Sequence, residues 1–470
     1  MNNDKPNIIF ILADDMGYGD LGCYGAEKIP TPNMDSIAAD GIKFNDAHSS
    51  SSVCTPSRYS VLTGRYCWRT RLDKWVLGGF GAPLIEPDRM TVASLLKRNG
   101  YATAAVGKWH LGLNWKNKNG DDLLNGDSRA GDLVGNEHID GFNVDYTKKI
   151  EGGPVELGFD SWFGISGSLD MPPYCLIQDN KTTDIPDREK APYEAQQRKG
   201  LMSPDWKDDQ CDVTFAKKAC EFIRKQADNK PEQPFFLYMT PAAPHRPCVP
   251  PDFVKGKSQA GLRGDAVCLV DWMVGQVKNA LKEKGIIENT LLIVSSDNGA
   301  RAECFNGQDY GHKSNGDWRG QKADIWEGGH REPLIVQWPA KIKPGSVSGE
   351  IVCLSDLTAT VAAIVGDKLA EGEAEDSINI LPALLGDKTG KPLRDSLIHH
   401  SGDGMFSVRK GKWKLILGLG SGGFTEPKSQ TPLPDGPTGQ LYDLESDPAE
   451  TNNLHSQYPG IVKELTENLR

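Results

Sequence analysis

In the segment Ser52-Val53-Cys54-Thr55-Pro56-Ser57-Arg58, a thiol, a proline and a guanidinium are spaced as a helix start would space them. Pro56 suits a first helical turn, Thr55 is placed to cap it, and Gly64 is placed to end it. Cys54 then stands at a helix N-terminus, where backbone N–H groups attract anions. Arg58 lies about one turn on, so its guanidinium can return toward the thiol. A buried cysteine beside an ordinary N-cap fits the same residues. Elsewhere, Asp14-Asp15 and Asp297-Asn298 offer oxygen donors, which suit a hard cation such as calcium or magnesium better than zinc. Each pair alone also serves as a strand-end turn. Together, at the ends of apolar runs, they point to a metal. Gly107-Lys108-Trp109-His110 and Pro244-His245-Arg246 add cationic and proton-carrying groups.

These groups need a scaffold that brings distant segments together. Four apolar runs read as strands of a buried parallel sheet: Asn7 to Ala13, Ala102 to Val106, Phe235 to Met239 and Leu291 to Ser295. Each runs directly, or within a few residues, into one of the polar groups above. The carboxyl ends of parallel strands share one edge, and ligands bind there. Helical stretches at Met90 to Asn99, Cys211 to Lys225 and Ala260 to Lys284 alternate with the strands, which predicts an α/β fold with helices on both faces. From about residue 385 the pattern changes to a small α+β domain with an antiparallel sheet, so the division is 1–384 and 385–470. Its parts are a hairpin, Phe406 to Arg409 and Trp413 to Leu417 around Lys410-Gly411, a strand within Gly439 to Leu444, and a helix from Ile461 to Arg470. Segments 114–160, 178–208 and 421–438 are loop candidates.

The formal charge of -11 argues against nucleic acid as a general partner, and it means that positive charge for an anionic substrate must be gathered locally. No apolar run approaches the ~20 residues of a membrane span. The ten cysteines contain no C-x-x-C pair, which argues against a structural zinc site, and a few disulfides fit an oxidising compartment. The chain enters its first strand at Ile8 with no leader pattern ahead of it. A cytosolic protein and one lacking its leader both fit; the expected location is periplasmic or secreted.

Cys54-Thr55-Pro56-Ser57-Arg58 followed by Leu62-Thr63-Gly64-Arg65 resembles the sulfatase signature, C-x-P-S-R with a downstream T-G. The likeness extends along the chain through Asp14-Asp15, the segment Gly107 to Gly112, Pro244 to Pro247, Asp297-Asn298-Gly299, Arg319 to Lys322, Trp326 to Pro333 and Leu441 to Leu444. It implies an alkaline-phosphatase-like fold and a formylglycine-dependent sulfatase. In that family a maturation enzyme oxidises the cysteine to formylglycine, and one hydroxyl of the hydrated aldehyde attacks sulfur. The resemblance implies that Asp14, Asp15, Asp297 and Asn298 hold one calcium ion together with the group made from Cys54. It gives Arg58 to support of that group, Lys108 and Lys322 to the sulfate oxygens, His110 to uptake of the second hydroxyl's proton, and His245 to protonation of the leaving alcohol. Ser168 matches a serine that hydrogen-bonds sulfate, with a turn residue as the alternative. His312 and His330 are candidate substrate contacts, with structural hydrogen bonds as the alternative. The other histidines have no motif and are assigned to surface or packing.

The substrate implied is a sulfated saccharide of galactose or N-acetylgalactosamine type. Trp162-Phe163-Gly164 and Met171-Pro172-Pro173-Tyr174 are placed to give its pocket an apolar wall. The rival readings are a phosphoester or phosphonate hydrolase of the same superfamily, and a non-catalytic glycan-binding protein of the same fold.

Overall fold

The first strand, Asn7–Ala13, is apolar from Ile8 onward because helices cover the sheet on both faces. Ile8, Phe10 and Leu12 join one hydrophobic cluster, while Ile9, Ile11 and Ala13 join the other. The computed structural model describes all residues except 1–4, 128, 130–131, 134–138, 195–196, 302–309, 388–389 and 468–470.

Asn7–Ala13 lies near the centre of a sheet of ten strands. Across it the order is Ser346–Ser348, Ile42–Phe44, Leu334–Gln337, Thr290–Ser296, Asn7–Ala13, Phe235–Thr240, Ala102–Lys108, Ser161–Ile165, Ile177–Gln178 and Lys181–Thr182. From Thr290–Ser296 to Ser161–Ile165 every pairing is parallel. The strands flanking this block pair antiparallel, apart from the outermost Ser346–Ser348. The sheet is thus mostly parallel where the chemistry was expected and antiparallel at its margins.

Helices Cys54–Thr63, Val92–Arg98 and Leu357–Val365 contribute to one hydrophobic cluster. Helices Pro32–Ala39, Cys211–Asn229 and Gly261–Glu283 contribute to the other. Thr91 caps the second of these six by accepting Ser94 N at 3.1 Å. The expected cap at Thr55 is not what forms. The helix begins at Cys54, its N-cap is Val53 without a side-chain bond, and Thr55 Oγ1 instead donates to His110 O at 3.0 Å and accepts from Leu77 N at 3.3 Å. Gly64 ends the helix in the left-handed region at φ 65°.

The C-terminal part forms a four-stranded antiparallel sheet in the order Leu397–His400, Phe406–Lys410, Trp413–Ile416, Gln440–Asp443. The expected hairpin is present, with Lys410 opposite Trp413. The terminal helix is Pro459–Glu467, and the end of the range expected for it lies outside the described residues. None of the nine described cysteines is in a disulfide. Among the described residues, no helix is long and apolar enough to cross a membrane.

The two sheets are joined by buried charge and stacked rings. Lys414 Nζ lies 3.1 Å from Glu327 Oε1, 2.9 Å from Glu450 Oε1 and 3.1 Å from His330 Nε2. His330 stacks on His399 at 3.8 Å between ring centroids, and its Nδ1 is 3.1 Å from His48 Nδ1. Asp46 holds the far nitrogen of His48 at 2.7 Å, while Arg331 and Arg409 pair with Asp46. Burial pushes all three imidazoles below their ordinary value, with Lys414 adding to the effect at His330 and His399. A depressed histidine stays neutral in the fold, whereas the unfolded chain protonates it below about pH 6.5, so acid favours unfolding. Each such histidine tilts stability by up to ~1.4 kcal/mol per pH unit below that point. His399→Gln removes one titrating ring from the stack. It should lose less stability than the parent between pH 6.5 and 5, as read from urea unfolding at several pH values; parallel slopes would count against this.

Candidate active site

The strand register delivers the chemistry. Ala13 pairs with Ser296, so Asp14 and Asp297 leave their strands at the same level. Thr240 pairs with Gly107, and Lys108 with Ile165, which brings the 241–246 turn, Lys108 and the 166–170 loop to the same edge. Gly107 has to be glycine: its φ is +116°, and a Cβ there would meet Thr240 O at 2.0 Å. Asp15 and His110 sit in the left-handed region at φ 62° and 59° without being glycine. Such strain costs about 1–3 kcal/mol per residue and collects at functional sites.

Cys54 is buried at 1% exposure among these ends. Its Sγ lies 3.3 Å from Asp14 Oδ1, 3.9 Å from Asp15 Oδ1 and 3.4 Å from Lys322 Nζ. Arg58 Nε donates to Asp297 Oδ2 at 2.8 Å, and its NH2 lies 3.6 Å from Asp14 Oδ1. Lys108 Nζ donates to Asp14 Oδ2 at 2.6 Å and to Ser168 Oγ at 3.1 Å. Lys322 Nζ lies 2.7 Å from Asp15 Oδ1 and donates to Oδ2 at 2.8 Å. Asn298 Nδ2 donates to Asp15 Oδ1 at 2.7 Å. His245 Nε2 lies 3.7 Å from Asp15 Oδ2, and its Nδ1 pairs with Arg246 O at 2.7 Å. His110 Nε2 pairs with Leu77 O at 2.8 Å, while its buried Nδ1 has no partner.

The electrostatics divide these groups. Burial acts to raise the Asp14 carboxyl, and Lys108, His245, Arg58 and Lys322 overcome it, holding the group well below the carboxylate range. Burial with the neighbouring Asp14 pushes Asp297 up to about 6 despite Arg58. Burial, reinforced by Asp14 and Asp297, drives the Cys54 thiol far above its ordinary value. Burial and Lys108 keep His110 neutral at physiological pH. With Nε2–H donated to Leu77 O, His110 Nδ1 carries a lone pair able to take a proton.

The all-oxygen set fits a hard cation. Asp14, Asp15 and Asp297 supply carboxylates, and Asn298 Oδ1 is a buried acceptor without a partner. Ligand atoms of Asp14, Asp15, Cys54 and His245 lie within 4.8 Å of one another.

One of the two histidines expected as substrate contacts is placed otherwise. His330 is 0% exposed, stacked on His399 and bonded to protein at both ring nitrogens, so it belongs to the joint between the sheets. His312 Nε2 bonds Asp20 Oδ1 at 2.8 Å, and Asp20 in turn holds Arg263, which braces Asp15 O at 2.8 Å. His330 thus makes the structural hydrogen bonds that were the alternative, and His312 makes one through Nε2. The expected apolar wall is also packed away: Trp162, Phe163, Met171 and Tyr174 are all in the core. The partly exposed aromatic pair near Lys322 is Trp75 and Phe424, with centroids 5.4 Å apart. Phe424 N bonds Asp324 Oδ1 at 2.8 Å, and Trp75 N bonds Gly402 O, whose own N–H reaches Ala323 O.

Other contributors carry no motif. Asp212, at the start of Cys211–Asn229, accepts Ala242 N and Ala243 N at 2.8 and 2.9 Å, fixing the turn that presents His245. Glu332 was visible only as part of a motif. Burial together with Asp297 and Asp15 raises its carboxyl well above the ordinary value.

A family model described as Sulfatase matches residues 6–366. The chain belongs to the sulfatase family. It is an enzyme that hydrolyses sulfate esters. N-acetylgalactosamine-6-O-sulfatase of Bacteroides thetaiotaomicron is 34% identical over 99% of this chain and 93% of its own length. Human steryl-sulfatase is 31% identical over 86% of this chain and 74% of its own length. A solved structure from work on the metabolism of multiple glycosaminoglycans by Bacteroides thetaiotaomicron superposes with a TM-score of 0.83 at 31% identity, covering 99% of this chain and 98% of that one.

If the sulfatase's oxygen donors hold calcium, exhaustive chelation should lower both activity and melting temperature, and calcium should restore both. Asp297→Ala should abolish the calcium-dependent rise in melting temperature. Full activity and unchanged melting after chelation, with no metal detectable, would refute this.

Proposed function

We propose that this sulfatase removes sulfate from a saccharide of galactose or N-acetylgalactosamine type, using formylglycine made from Cys54 and one calcium ion. The observation that carries the reading is the setting of Cys54. Its sulfur stands at a helix N-terminus beside Asp14 and Lys322, and burial, reinforced by Asp14 and Asp297, holds its thiol in the neutral form. A neutral thiol is a poor nucleophile, so this setting does not suit cysteine as such. Formylglycine supplies a hydrated aldehyde whose hydroxyl is the nucleophile, and calcium supplies positive charge for it and for the sulfate. The similarity to an N-acetylgalactosamine-6-O-sulfatase over 99% of the chain supports the saccharide.

The chain's own residues do the remainder. Lys108, Lys322 and Ser168 meet the sulfate oxygens, offsetting charge that would repel a nucleophile. Arg58, locked to Asp297, keeps the Cys54-derived side chain in register. His110 takes a proton at Nδ1. His245, with Nδ1 committed to Arg246 O, delivers a proton from Nε2 to the leaving oxygen. A formylglycine-generating enzyme is the transient partner in maturation.

Intact masses of the tryptic peptide containing Cys54 test the nucleophile directly. The active preparation should carry a residue lighter than cysteine, and an active enzyme with unaltered cysteine would end the formylglycine assignment. His245 tests the mechanism. Nitrophenolate leaves without a proton, whereas a sugar alkoxide does not. His245→Ala should therefore reduce sugar-sulfate turnover by ~10²–10⁴-fold, with a much smaller loss on nitrophenyl sulfate. Arg58→Ala should harm both. Equal losses for His245→Ala, with chemistry limiting in both reactions, would leave His245 as a sulfate-binding residue only.

A further inference from the structure

Asp170 stands two residues beyond Ser168, in a loop held to the strand that carries Lys108. Trp109 N bonds Ile165 O at 3.0 Å and His110 N bonds Ser166 O at 2.9 Å, while Ser168 Oγ takes Lys108 Nζ. Asp170 is 2% exposed. Its Oδ2 is shared by two guanidiniums, Arg198 NH1 at 2.9 Å and Arg246 Nε at 3.3 Å. Its Oδ1 is buried and has no hydrogen-bond partner. Burial acts to raise its carboxyl, and His245, Arg246, Arg198 and Lys108 together overcome that and hold it below its usual range. The chain therefore keeps a carboxylate two residues from Ser168 and held by the arginine that follows His245, with one oxygen shared by two guanidiniums and the other without a partner.

That is an unusual group to set beside an anionic sulfate, because a carboxylate repels it. An unpaired buried acceptor also costs the fold free energy. A hydroxyl on the leaving group resolves both difficulties, since it donates a hydrogen bond and brings no negative charge. A sugar sulfate carries hydroxyls on carbons close to the ester. A steroid sulfate or a simple aryl sulfate has no such neighbour.

We infer that Asp170 reads the saccharide: its Oδ1 accepts a hydrogen bond from a ring hydroxyl of the sugar that bears the sulfate. The inference rests on the saccharide reading above and names the residue that separates sugars from steroid and aryl sulfates. Arg198 and Arg246 are positioning residues here, because they fix the carboxylate through Oδ2 and leave Oδ1 to the substrate. A site built to bond a substrate hydroxyl discriminates strongly against the analogue that lacks it, since its own polar group is then left unpaired.

The test uses the matured, calcium-loaded enzyme with N-acetylgalactosamine 6-sulfate, its monodeoxy analogues, and nitrophenyl sulfate. With the parent enzyme, one monodeoxy analogue should lose at least ~10-fold in kcat/KM, toward ~10⁴-fold if the hydroxyl is fully enclosed. Asp170→Asn should lose a similar factor on the complete sugar and little more on that analogue, with a far smaller loss on nitrophenyl sulfate. Losses that multiply instead of overlapping would overturn the contact, as would equal losses of Asp170→Asn on sugar and nitrophenyl substrates. If Asp170→Asn does not fold, the parent enzyme decides alone, since a flat response across all monodeoxy analogues overturns the inference. A parent enzyme that releases sulfate from nitrophenyl sulfate but from no sugar overturns the saccharide reading itself, which is a different failure from a flat series.

Discussion

Three carboxylates, those of Asp14, Asp15 and Asp297, are buried around one sulfur atom, and this concentration of like charge governs what surrounds them. An unpaired buried ion costs several kcal/mol, so each carboxylate needs a cation. Lys108 answers Asp14, Lys322 answers Asp15 and Arg58 answers Asp297. Each cation comes from a different segment: the end of the Ala102–Lys108 strand, the 319–322 turn and the helix that Cys54 begins. The parallel block of the sheet is what allows such distant segments to meet. Its shared carboxyl edge places Asp14, Asp297, Lys108 and the 241–246 turn side by side although up to 283 residues separate them along the chain.

Several local departures from good structure lie at the same place. Asp15 and His110 hold unfavourable backbone angles, and Asn298 Oδ1, His110 Nδ1 and Asp170 Oδ1 are buried without partners. Elsewhere the sheet satisfies its backbone in regular ladders, and the two hydrophobic clusters cover both its faces. A rigid core can hold a few strained and unpaired groups that a looser fold would relax.

How much of this was legible in the sequence follows from where each signal lives. The central strands were visible as apolar runs ending in Asp, Lys or His, because burial on both faces leaves no polar alternation to blur them. Strands Ile42–Phe44 and Ser346–Ser348 escaped notice because three residues carry no usable period. Cys54, Arg58, Lys108 and Lys322 were recoverable from spacing and resemblance, and the structure brings them together. Asp212 was hidden, since an aspartate opening a helix looks like any other and its two backbone partners lie 30 and 31 residues away. His330 lies in a motif and His399 in none, so the two read differently along the chain, yet they stack on each other. Thr55 looked like a cap because its residue type favours that role, but its hydroxyl was claimed by His110 O, a contact no local pattern announces.

The burial of Cys54 also orders events in time. At 1% exposure, beneath the ends of the first strand and the 319–322 turn, its side chain is out of reach of any second protein once the sheet has closed. The helix that presents it lies early in the chain, whereas Asp297 and Lys322, which help to seal it in, come more than two hundred residues later. During synthesis the thiol therefore passes through an interval in which it has been made but not yet enclosed. If Cys54 is converted to formylglycine as proposed, that change is a race between modification and folding, and a copy that folds first keeps its cysteine.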